Sequence, residues 1–214
     1  MARIVFDLDG TLVDSAPDIR AVANSVLAEE GRPPLSIEET VAFIGEGTAV
    51  FVARMRAARD IPDTEQERLH AAFLPRYKGA VTLTEPYDGV IDALKSLRDD
   101  GHRLGLCTNK PEGPTDALLR HFGLQDFFAV RIGGDSMAAR KPDPAPLRVA
   151  CEALGSGPCL YVGDSETDAE TAHRAGVPFL LFTRGYRKAA VETLPHRATF
   201  DDWSTLPGVV AAAL

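Results

Sequence analysis

The sequence predicts an α/β fold, a parallel sheet with helices on both faces and an all-helical block inserted after the first strand. Three observations carry this. The chain opens with a short apolar run, Ile4 to Phe6, that reads as a buried strand and ends in Asp7-Leu8-Asp9-Gly10-Thr11. Residues 16–80 carry helical periodicities and no strand pattern. From Val81 onward, short apolar runs alternate with helical segments across short turns, which favours parallel pairing with helices on both faces.

Taken in order, residues 3–6 are the first strand. Ile19, Val22, Ala23, Val26 and Leu27 recur at three and four and form one face of a helix. Ser15 or Asp14 can cap it, Pro17 suits its first turn, and Gly31-Arg32-Pro33-Pro34 stops it. Ser36 opens a second helix with Glu39 three residues on, a capping-box pattern. That helix ends near Ile44-Gly45-Glu46-Gly47. A third runs over 48–60 and a fourth over 64–77, using Leu69, Ala72 and Phe73. Strands are then expected over 103–107, 129–132, 159–162 and 178–182. Helices are expected over 89–99, 115–122, 145–154 and 167–175, three of them stopped by Gly123, Gly155 and Gly176. These elements divide the chain into a core of residues 1–15 and 81–214 and a helical domain over 16–80.

Composition narrows the function. Of 214 residues, 45% are hydrophobic and 25% charged, as in an ordinary globular protein. The net charge of −8 disfavours nucleic acid and anionic membranes as partners, since both present phosphates. No apolar run reaches a membrane span, and residues 1–15 carry acids where a signal peptide needs a basic start. Cys107, Cys151 and Cys159 are odd in number and lack metal spacing, so reduced buried thiols and a cytoplasmic location are expected.

Polar motifs fall at the carboxyl ends of four predicted strands, where sites on parallel sheets lie. Asp7 and Asp9 follow the first strand, and the period of two lets both project to one side while Leu8 turns away. At about 5 Å and an effective dielectric of about 20, two such charges repel by about 3 kcal/mol. A hard divalent cation with oxygen ligands relieves this, and Mg²⁺ fits best. Thr108 and Asn109 follow the second core strand, and Lys141 lies in the loop after the third, ahead of Pro142. Asp164, Ser165 and Asp168 follow the fourth. Singly, each could be a turn residue, a surface lysine or a helix cap. Together, in this order on consecutive strands, they read as one site.

These motifs identify the chain as similar to the haloacid dehalogenase superfamily, in its phosphoglycolate phosphatase-like group. The resemblance rests on Asp7 through Ser15, Thr108-Asn109-Lys110, Gly133-Gly134-Asp135 with Arg140-Lys141-Pro142, and Gly163-Asp164-Ser165 through Asp168. It implies a Rossmann-like core and a small inserted helical cap that governs substrate choice. Ile44-Gly45-Glu46-Gly47 resembles a cap loop that reaches over the substrate. It implies that Asp7 is the nucleophile that forms an aspartyl-phosphate, with Asp9 as general acid and then base. Asp7, the Asp9 carbonyl and Asp164 would bind Mg²⁺. Thr108 and Lys141 would act on the phosphoryl oxygens, and Asp168 would orient Asp164, Lys141 or metal-bound water. Asn109, Gly45 and Gly47 join the expected substrate contacts.

Arg54, Arg56 and Arg59 give the third helix of the insert a basic character that could attract a carboxylated phosphate, with Arg54 the candidate substrate contact; a solvated helix face is the alternative. The expected substrate is a small phosphorylated metabolite, phosphoglycolate first, acted on by a monomer or homodimer. Sugar phosphates, nucleotides and pyrophosphate stay open as substrates, as does a hexose-phosphate mutase. A phosphate-binding regulatory module is the non-enzyme alternative. Arg184, Tyr186 and His196, near the end of the chain, are expected to serve packing or the surface.

Overall fold

The computed structural model describes all 214 residues. Its strands are β1 (Arg3–Phe6), β2 (Val13–Asp14), β3 (Glu85–Pro86), β4 (Arg103–Cys107), β5 (Phe128–Ile132), β6 (Cys159–Gly163), β7 (Phe179–Phe182) and β8 (Ala198–Phe200). Its helices are α1 (Ala16–Glu29), α2 (Ile37–Phe43), α3 (Thr48–Ala57), α4 (Gln66–Lys78), α5 (Val90–Asp99), α6 (Glu112–His121), α7 (Ala145–Ala153), α8 (Glu166–Ala175) and α9 (Leu206–Ala213).

Six strands form one parallel sheet in the order β5-β4-β1-β6-β7-β8. The chain runs outward from β1 on one side through β4 and β5, then returns to β1's other side with β6. The strand order therefore reverses at β1, and the carboxyl ends of β1, β4 and β6 meet at the crevice. β1 is central because Ile4, Val5 and Phe6 are completely buried, Ile4 and Phe6 toward one face and Val5 toward the other. Such continuous burial suits a strand covered on both faces.

One apolar cluster, with Phe6 and Leu106, lies against α5, α6 and α9. The opposite face packs Val5, Tyr161 and Leu181 against α7 and α8. A third cluster lies wholly within 19–77 and joins α1, α3 and α4 through Leu27, Met55, Phe73 and Tyr77. The capping box is present: Ser36 Oγ accepts from Glu39 N at 3.1 Å, and Glu39 Oε2 accepts from Ser36 N at 2.8 Å. The two connections to this helical block are fastened together. Val13–Asp14 pairs antiparallel with Glu85–Pro86, and buried Asp18 Oδ2 accepts from Leu83 N, Thr84 N and Thr84 Oγ1.

Several sequence expectations are corrected. The sequence pattern points to no strand after 182, yet β8 extends the sheet, and Trp203, 1% exposed, packs on Phe6, Phe182 and Phe200. The fourth helix starts later, after a 3₁₀ turn over Asp63–Glu65. Ser15 does not cap α1, because its hydroxyl donates to Asp9 Oδ1 at 2.6 Å. The cysteines are not three thiols. Cys151 near the end of α7 and Cys159 at the start of β6 turn back on each other, 6.4 Å apart at Cα, and form a disulfide; Cys107 alone is free, and burial pushes its thiol up to about 12. No helix is long and apolar enough to cross a membrane.

Candidate active site

β1 delivers Asp7 and Asp9 to the carboxyl edge, and Gly10, at φ +83°, turns the chain away. The turn is crowded: a Cβ at Gly10 would lie 2.6 Å from Asp164 Oδ2 and 2.7 Å from the Tyr186 ring. Asp7 is 7% exposed. Lys141 Nζ sits 2.8 Å from Asp7 Oδ1 in a buried ion pair. Burial, then the Asp168 charge, push the Asp7 carboxyl up to about 7 against the pull of Lys141.

Lys141 is itself held by Asp168 Oδ1 at 2.7 Å and Tyr161 OH at 2.9 Å. Burial opposes its charge, but Asp168 and Asp7 outweigh burial and raise its pKa. Asp168 is saturated with donors. Oδ1 also accepts from Tyr161 OH at 2.7 Å, and Oδ2 accepts from Ser165 Oγ at 2.6 Å and from the backbone N–H groups of Asp164 and Ser165. Burial works against its ionisation, yet Lys141 and these hydrogen bonds hold it below the usual carboxylate range. Ser165 and Asp168 together make the capping box of α8.

Asp164 is fully buried. Thr11 Oγ1 donates to its Oδ1 and Tyr186 N to its Oδ2, both at 2.6 Å. Burial and the charges of Asp168 and Asp7 raise it well above the usual range. Ligand oxygens of Asp7, Asp164 and Asp168 lie within 4.8 Å of one another, a buried acidic cluster.

Asp9 is held differently. Oδ1 accepts from Ser15 Oγ at 2.6 Å and from Lys110 Nζ at 2.9 Å, while Oδ2 takes part in no hydrogen bond within the chain. Lys110 Nζ also donates to Tyr77 OH of α4 at 2.5 Å. Sequence reasoning gives Lys110 no role of its own; a lysine right after the Thr108-Asn109 pair at a strand's carboxyl end is the available signal. It also misses Tyr186, whose backbone N–H reaches Asp164 and whose hydroxyl donates to Asp14 Oδ1 at 2.6 Å and accepts from Ala16 N at 2.9 Å.

Asp7, Asp9, Thr108, Asn109, Lys110, Lys141, Gly45 and Gly47 line one cavity of about 50 Å³, walled on the helical side by Ile19, Ile44, Phe51, Phe73 and Tyr77. A second cavity, about 470 Å³, opens onto Asp7, Asp9 and Asp164 between the 44–46 loop and Tyr186 to Ala189. Thr108 Oγ1 accepts from Lys110 N at 3.2 Å, which leaves its hydroxyl proton for an acceptor in the cavity. The Asn109 amide is spent on the protein: Oδ1 accepts from Lys141 N, and Nδ2 donates to Lys141 O and Gly45 O.

Arg54 is not among the residues around either cavity. It is paired with Glu46 and donates to Phe43 O at 3.3 Å. Arg59 binds Glu39 at 2.7 Å, and Arg56 is largely buried and donates to Ile61 O. The basic helix face is thus tied up within the insert.

A parallel sheet whose switch point gathers four carboxylates and two lysines beside a small cavity defines a hydrolase of the α/β class with acid chemistry at the end of its first strand. The model of the haloacid dehalogenase-like hydrolase family matches residues 1–176, and the chain belongs to that family. It is 49% identical over 217 residues to phosphoglycolate phosphatase of Cereibacter sphaeroides, covering 100% of both chains. It is 43% identical over 209 residues to the phosphoglycolate phosphatase of Rhodobacter capsulatus, covering 97% and 95%. A crystal structure of a predicted phosphoglycolate phosphatase from Haemophilus somnus superposes with a TM-score of 0.89 at 31% identity, over 97% of this chain and 96% of that one.

Proposed function

We propose that this hydrolase is a Mg²⁺-dependent phosphoglycolate phosphatase that works through an aspartyl-phosphate on Asp7. The observation that carries the reading is the division of labour between two neighbouring acids facing one cavity. Asp7 is ion-paired with Lys141 at 2.8 Å, and Asp9 is fixed by one oxygen and open at the other. The relatives of similar length, named for phosphoglycolate, supply the substrate.

In the first step an Asp7 carboxylate oxygen attacks phosphorus and the bond to the ester oxygen breaks. Asp9 gives its Oδ2 proton to the departing alkoxide, since Oδ1 already accepts two donors. Lys141 and the Thr108 hydroxyl take phosphoryl oxygens as charge builds on them. Asp9, now ionised, then removes a proton from water. The water oxygen attacks phosphorus, the bond to Asp7 breaks, and inorganic phosphate leaves.

The donors fit Mg²⁺. Asp7, Asp164 and the Asp9 carbonyl offer only hard oxygens, and the buried carboxylates of Asp7 and Asp164, both disfavoured as charges and within 4.8 Å of each other in a cluster with Asp168, support a cation there. Bound, it would screen the dianionic phosphoryl group from the acids around it. Asp168, with every oxygen occupied, serves as the anchor of Lys141. Residues 16–80 act as the cap: they supply the apolar wall of the cavity, and closure excludes water from the first step.

The test is phosphate release from a panel of phosphomonoesters with and without Mg²⁺. A preference for 2-phosphoglycolate of about a hundredfold in kcat/KM supports the reading. Flat rates across the panel remove the substrate, and no release from any ester removes the activity.

A further inference from the structure

Two cations face the small cavity, Lys141 and Lys110, and they stand in separate chains of contacts. Lys141 belongs to the phosphoryl end, against Asp7 and Asp168. Lys110 stands against Asp9 and the helical insert. Its side chain is 2% exposed, 2.9 Å from Asp9 Oδ1, 2.5 Å from the Tyr77 hydroxyl of the helical insert, and 4.3 Å from the centre of the Tyr77 ring.

We infer that Lys110 is the specificity-determining residue of the site: its ammonium, held between Asp9 and Tyr77, receives the carboxylate of a substrate in which carboxylate and phosphate ester share one methylene. This rests on the reading of the chain as a phosphoglycolate phosphatase.

The two acids fix where the leaving group lies. Phosphorus is in line with Asp7, and the ester oxygen is at Asp9, which protonates it. The part of the substrate attached to that oxygen therefore enters the space beyond Asp9, where Lys110 sits. An ammonium carries three donors, and the protein uses two of them here, which leaves one for the substrate. The neighbouring walls, Phe51, Phe73 and Ile19, offer no other charge. A carboxylate brought into such an apolar end is costly unless a cation meets it. Arg54, the cation that the sequence put forward for this task, is held elsewhere by Glu46.

Because Lys110 also touches Asp9, its loss lowers every turnover to some extent, so a rate alone cannot assign the role. The informative quantity is the ratio of kcat/KM for 2-phosphoglycolate to that for ethyl phosphate, which lacks the carboxylate; any effect through Asp9 cancels in it. The wild type is expected to show a ratio of about a hundred, and Lys110→Met to bring it below about ten. Tyr77→Phe, which removes one of the two partners that hold the ammonium in position, is expected to reduce the ratio by about threefold or more, mainly through KM for phosphoglycolate. If Lys110→Met depresses both substrates equally, Lys110 serves Asp9 alone and the inference is overturned while the phosphatase reading stands. If Lys110→Met does not fold, Tyr77→Phe decides, and an unchanged ratio overturns the inference. A wild-type ratio near one overturns both the inference and phosphoglycolate as substrate.

Discussion

Asn109 Nδ2 donates to the Gly45 carbonyl at 2.9 Å, and this hydrogen bond joins the loop after β4 to the loop between α2 and α3. The same amide exchanges hydrogen bonds with both backbone groups of Lys141, at 3.0 Å each. One side chain thus fixes the lysine beside Asp7 and the loop that closes over the cavity. Gly45 and Gly47, at φ +122° and +89°, give that loop the backbone freedom to reach it. Asn109→Ala removes three hydrogen bonds and leaves buried backbone groups unpaired. We expect a loss of about 1–3 kcal/mol in thermal or denaturant unfolding, and a fall in kcat/KM of about tenfold or more.

Asp7→Asn keeps the shape of the side chain and removes its charge. Turnover is expected to fall by about 10⁴-fold. Burial disfavours the carboxylate here, so the variant is expected to unfold at no lower temperature than the wild type when both are measured at pH 8 without divalent cation. Asp9→Asn is expected to be nearly as inactive and to fold normally.

The pH dependence of stability comes from the same carboxyl. The folded pKa of Asp7, about 7, lies above its ordinary 3.8, so the folded chain holds a proton that the unfolded chain has released. Its contribution to stability is complete below about pH 4 and is lost as pH rises through about 7. Asp164 is shifted in the same direction, while Asp168, shifted down, acts only at lower pH. Melting temperatures in EDTA should therefore decline from pH 5 to pH 8, and added Mg²⁺ should raise them more at pH 8 than at pH 5. A larger Mg²⁺ effect at pH 5 would contradict this.

Gly185 shows how closely the C-terminal segment approaches the acids. A Cβ there would fall 2.3 Å from both Asp164 Cβ and the Gly10 carbonyl oxygen. Backbone must move to accept it, so Gly185→Ala is expected to cost about 1–3 kcal/mol and to weaken the Mg²⁺ dependence of activity. Equilibrium unfolding and a Mg²⁺ titration of the rate check both effects.

Arg54→Gln is expected to change kcat/KM for phosphoglycolate by less than about fivefold, because its partner is a half-exposed glutamate and it borders neither cavity. A larger fall would return Arg54 to the site.

The alternation of strands and helices after Val81 was readable because each element has its own periodicity and each turn its own glycine or proline. So was the convergence of Asp7, Asp9, Thr108, Lys141, Asp164 and Asp168, because strand ends in a parallel sheet meet wherever the order reverses. What escaped was contact made by distant parts of the chain. Tyr186 lies 22 residues beyond Asp164 and 172 beyond Asp14, and no local pattern links it to either. β8 is three residues long, too short for a period, and α9 is apolar along most of its length, which hides its face. Asn109 reads from the sequence as a substrate contact, whereas its amide is engaged by Lys141 and Gly45. A side-chain amide reads the same whether it meets substrate or backbone. The Cys151–Cys159 pair likewise depends on how α7 turns into β6.

The central claim is that Asp7 carries the phosphoryl group. It is tested most directly by acid-quenching the enzyme during turnover of 2-phosphoglycolate with Mg²⁺, reducing with borohydride and sequencing the peptides by mass spectrometry. Reduction converts an aspartyl-phosphate to homoserine. The account predicts homoserine at position 7 in the wild type and none without substrate. Turnover that leaves Asp7 unmodified, with the label on another carboxylate, would contradict it.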